Sequence, residues 1–147
     1  TEDRVGDPTV ESRLLSAVIG TEISEEELYR IGERVFNLQR AILVREGWQG
    51  RDFDRLPESS YTVPLEYDHA DPECRVPGKD GEVISKLGTV FDRHAFERMK
   101  DEYYELRGWD ARTGLQKRRT LEGLGLGDVA EDLEKRNLLA PQGGDRI

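Results

Sequence analysis

Cysteine is nearly absent from this chain, with Cys74 standing alone among 147 residues. One thiol cannot close an internal disulfide, nor can it supply a four-cysteine zinc or iron–sulfur cage within the chain, and such sparse usage fits a reducing compartment. Long apolar runs are missing too. Nothing approaches the ~18 apolar residues that cross a bilayer, and the opening Thr1-Glu2-Asp3-Arg4 lacks the apolar core of a signal peptide. The expectation is a soluble, cytoplasmic protein with no membrane partner. Basic charge is scarce as well: 22 Lys plus Arg face 31 Asp plus Glu, for a net charge of −9. Binding to a phosphate backbone needs clustered cations that release counterions, so nucleic acid is not an expected partner. The densest basic run, Lys117-Arg118-Arg119, is short and followed by Glu122; it reads as a solvated helix face.

The composition is 36% charged and 35% apolar, with a mean hydropathy of −0.73. That is lean for a self-sufficient core, and an apolar stripe left unpaired in so small a chain asks for a neighbouring domain. The pattern predicts an all-α, multihelical fold: one helical domain over 1–147, a long irregular central segment at about 61–91, and a disordered tail at 141–147. Asp7-Pro8-Thr9 opens a first helix that carries Leu14, Leu15, Val18 and Ile19 and stops at Gly20. Ser24 and Glu27 form a capping box, with Ile23 and Leu28 at the staple positions. Leu28, Ile31, Val35, Leu38 and Ile42 follow at helical spacing, and Phe36, Leu43 and Val44 widen the stripe. This helix is expected to end near Glu46, to be buried on more than one side, and to be the central element between the Thr9 to Ile19 and Asp92 to Arg107 helices. Replacing Ile31 by Asp would then bury an unpaired charge.

Trp48 to Pro64 reads as a loop, and Pro64 to Gly88 has no clear period, with Glu82-Val83-Ile84 as a brief extended piece. Asp92 caps a helix with Phe96, Met99, Tyr103 and Leu106 on one face and Gly108 beyond its end. Two short helices follow, around Lys117 to Leu124 and Asp128 to Arg136, separated by Gly123, Gly125 and Gly127.

No constellation forms a complete catalytic set, and the site assignment is none for catalytic, cofactor-binding and metal residues alike. Tyr67 to Cys74 gathers His69, Cys74 and three carboxylates, but no second Cys or His lies at matching distance, so an acidic surface loop is the better reading. His94 with Glu97 lacks the second His of a metalloprotease motif and reads as a surface residue. Gly123-Leu-Gly-Leu-Gly127 is flanked by Glu122 and Asp128, the wrong charge for a phosphate cradle, and serves capping and turning. Glu25-Glu26-Glu27 is a first-turn cluster favoured by the helix dipole, and neither it nor Asp101-Glu102 is an acid/base pair.

Several blocks nonetheless carry a resemblance. Leu14 to Gly20, Ile23 to Arg40 and Val44 to Gly47, then Leu56-Pro57-Glu58, Asp101 to Asp110 and Leu121 to Leu126 resemble, in order and spacing, the C-terminal part of the tungsten-containing aldehyde ferredoxin oxidoreductases. The resemblance runs over about residues 10 to 135 and breaks in the Tyr61 to Phe91 stretch. It implies the distal part of a C-terminal helical domain that packs against the remaining domains of the same enzyme. It further implies that the parent protein oxidises aldehydes to acids on a tungsten-bis-pterin, passing electrons through a [4Fe-4S] cluster to ferredoxin or another electron-transfer protein. Relatives include a benzoyl-thioester reductase subunit. The cluster cysteines and pterin-binding residues of the family lie upstream of the matched blocks, so no cofactor is expected in this chain. Ile31, Phe36, Leu38, Tyr103, Leu106 and Trp109 become packing positions, and Gly32 and Gly108 close-approach or capping positions. The competing expectation is a stand-alone acidic helical module that binds a basic protein partner without catalysis.

Overall fold

The computed structural model describes residues 6–67 and 70–141. Asp68, His69 and the tail beyond Pro141 lie outside them. Six helices and one hairpin make up the described residues: α1 (Val10–Ile19), α2 (Glu25–Arg45), α3 (Ser59–Thr62), β1 (Arg75–Pro77), β2 (Val83–Ser85), α4 (Arg93–Leu106), α5 (Arg118–Gly123) and α6 (Gly127–Lys135). The fold is therefore mostly helical but not all-α.

The helix boundaries follow the capping chemistry. The Asp7 carboxylate accepts hydrogen bonds from the Thr9 backbone N–H and hydroxyl at the entry to α1, and Gly20, at φ +71°, closes it through a bond to the Ser16 carbonyl. At α2 the capping box is complete: Glu27 N–H donates to Ser24 Oγ at 3.1 Å and Ser24 N–H donates to Glu27 Oε2 at 2.8 Å. Asp92 caps α4 by accepting from Ala95 N–H. Of the three glycines expected to separate α5 from α6, Gly123 is the last residue of α5, Gly127 the first of α6, and Gly125, at φ +71°, makes the turn between them.

The apolar core sits at one end of the molecule. Leu121 of α5, Leu126, and Ala130 and Leu133 of α6 are buried against Ala41 of α2, and Leu124, Val129, Leu138 and Leu139 pack around them. Ala41 and Ala130 are small enough to let α2 and α6 approach closely. The Lys117 to Arg119 run lies beside this core, where Arg118 pairs with Glu122 and Glu134.

The burial of α2 departs from expectation. Its buried residues are Asn37, Arg40, Ala41 and Val44, whereas Ile31, Val35, Leu38 and Ile42 are exposed. At roughly 100° per residue these sets occupy opposite sides of the helix. The helix turns the arc of Asn37, Arg40, Ala41 and Val44 inward and leaves the Ile31 to Ile42 stripe largely outward, so that of the residues expected to widen the stripe Val44 is buried. Ile31→Asp would therefore place its charge in solvent. Leu106 is likewise exposed, and no atom lies within 4 Å of where a Cβ on Gly32 would stand. Trp109 and Gly108 do pack as the blocks imply: Trp109 is buried, and Gly108 adopts φ +66° against the Thr120 side chain. Contact between α4 and α2 is made by rings and ions, with Phe36 against Tyr103 edge to face and Arg107 paired with Glu33.

The central segment is more ordered than its sequence pattern. α3 and a 3-10 turn at Gly50–Asp52 interrupt the first loop. Beyond it β1 and β2 pair antiparallel in the register Arg75↔Ser85, Val76↔Ile84 and Pro77↔Val83. The expected extended piece is β2; its partner β1 was not anticipated. The Asp71 carboxylate accepts from the backbone N–H and the guanidinium of Arg75, which ties the chain entering the hairpin.

Candidate functional site

The inward arc of α2 meets the Trp109 to Gln116 loop, where most of the buried polar groups gather. Asn37 is fully buried and its Oδ1 accepts from Trp109 Nε1 at 2.8 Å and from Gln116 Nε2 at 2.7 Å. Gln116 Nε2 also donates to the Asn37 carbonyl, and Asn37 Nδ2 donates back to the Glu33 carbonyl. This arrangement fixes the loop on the helix by groups that would be costly to leave unpaired.

One turn along α2, Arg40 reaches the loop before α3. Its guanidinium forks onto both oxygens of Asp54 and also donates to the Gly114 carbonyl at 2.9 Å, while stacking over the Trp109 ring at 4.8 Å. Asp54 accepts further from Trp48 Nε1 at 2.9 Å and from the Tyr104 hydroxyl at 2.6 Å. Burial pushes the Asp54 carboxyl up, but hydrogen bonds from Arg40 and Tyr104, the Arg40 charge and Trp48 outweigh it and hold the group below the ordinary carboxylate range. Burial, and then the bond to Asp54, push the Tyr104 phenol well up, so it remains a donor. Two buried atoms in this region, Arg40 Nε and Gln116 Oε1, have no hydrogen-bond partner among the described residues.

A second node adjoins the first. Arg51 pairs with Glu97 and Asp101 of α4 and donates to the Ala111 carbonyl, and Lys100 pairs with Glu97 at 2.9 Å. Backbone contact between the two loops needs two glycines: a Cβ on Gly50 would stand 2.1 Å from the Thr113 carbonyl oxygen, and one on Gly114 would stand 2.8 Å from the Arg51 nitrogen. Beside these nodes lies an open cleft of about 440 Å³, walled by Phe36, Leu43, Phe96, Met99, Tyr103 and Trp109.

Chemically this is a fastening. Asp54 receives four donated hydrogen bonds, and Glu97 is paired with both Arg51 and Lys100. Of the residues weighed from the sequence, His94 lies exposed at the start of α4, and Cys74 is buried beside the hairpin at φ +50°. Among the described residues no group of three or more His, Cys, Asp or Glu could hold a metal ion. The residues that organise the site, Asn37, Arg40, Asp54 and Gln116, were not singled out in the sequence. The only signal was indirect: Asn37 and Arg40 lie on the side of α2 away from its apolar stripe, which ordinarily means solvent.

A family model described as "Aldehyde ferredoxin oxidoreductase, domains 2 & 3" matches residues 1–126. Among solved structures, the chain is similar to one in the active-site complex BamBC of benzoyl coenzyme A reductase with 1,5 dienoyl-CoA, at a TM-score of 0.64 and 23% identity. The likeness covers 92% of this chain and 16% of that one, so the fold is shared while this chain spans about a sixth of the matched length.

Proposed function

Since the chain belongs to the aldehyde ferredoxin oxidoreductase family, within its domains 2 and 3, we propose that it is the C-terminal helical domain of a tungstopterin oxidoreductase. In this reading residues 1–147 are one domain that packs against the cofactor-binding domains of the same enzyme. The parent enzyme, in the cytoplasm, oxidises an aldehyde to a carboxylic acid and passes the electrons to ferredoxin. The single observation that carries the reading is the family match along 126 residues. The outward apolar stripe of α2 supports it, being what a domain leaves bare when its neighbours are absent.

The residues of this chain do not fit the cofactors of such an enzyme. A cluster with four thiolate ligands cannot be built on Cys74 alone. The contribution of this part is mechanical: it holds a rigid wall behind the portion that reacts.

The test is anaerobic purification of the complete polypeptide that contains these residues, with assays of tungsten, iron and dye-linked aldehyde oxidation. All three are expected in the complete protein, and none in the 147 residues alone. Stoichiometric metal on the short chain, or a complete protein devoid of tungsten and iron, would overturn the proposal.

A further inference from the structure

We draw no further inference here: the strongest candidate, the open aromatic cleft between α2 and α4 whose cations Arg40 and Lys100 are already paired with Asp54 and Glu97, is an apolar face on a chain that spans 16% of its matched structure, and nothing in the structure shows what covers it.

Discussion

At the scale of single residues, Asp54 and the two contact glycines decide how the loops are held. Removing the Asp54 charge leaves Arg40, 7% exposed, as an uncompensated cation, so Asp54→Asn should cost about 3 kcal/mol in chemical denaturation. The folded-state carboxyl lies below its ordinary value of 3.8. Its contribution is therefore complete above that value and is lost as pH falls through the lowered folded-state value, so the gap between wild type and Asp54→Asn should close under acid. A gap that stays constant from pH 7 to pH 2 would show that the pair is not formed. Gly114→Ala places a Cβ against the Arg51 nitrogen and the Tyr104 ring at φ +65°, and should cost about 2–4 kcal/mol. Gly32→Ala meets open space inside α2 and should stabilise the 147-residue chain by up to about 1 kcal/mol. The sequence marks all of these glycines equally; only the close approach of two loops distant in sequence tells Gly114 from Gly32.

At the scale of elements, helix ends were legible and helix orientation was not. Ser24 and Glu27 complete their capping box through atoms three residues apart, which is why the start of α2 could be read directly. Ser24→Ala should accordingly lower stability by about 1 kcal/mol, measured by thermal unfolding. Which face of α2 turns inward depends on partners far along the chain, and the inward face is the one holding Asn37 and Arg40. Ile31→Asp in the 147-residue chain should therefore change stability by less than about 1 kcal/mol, because Ile31 is half exposed. Leu121→Ala, at a fully buried position, should cost about 2–5 kcal/mol. The reverse order of these two effects would mean that α2 is rotated. The hairpin escaped the sequence pattern because three-residue strands give a period of two no room to show; the Asp71 carboxylate ties only the chain entering β1, through Arg75.

At the scale of the whole molecule, stability is concentrated where α5 and α6 close on the second half of α2, and thins toward α1 and the hairpin. Amide hydrogen exchange should be slowest at Ala41, Leu121 and Leu133 and fastest in α1 and in 70–91; uniform protection would contradict this distribution. The sequence by itself determined the helix caps, the helical class of most of the chain and, through blocks matched in order, the family. Each of these depends on residues close together along the chain or on text shared with relatives. Tertiary structure alone decided that Asn37, Arg40, Asp54, Tyr104 and Gln116 form one buried polar cluster, since those residues meet across separations of 14 to 79 positions. It also decided that the apolar stripe of α2 faces outward. Periodicity gives a helix its amphipathic faces, but which of them is buried is set by the free energy of the partners available, and here the polar face found its partners within the chain.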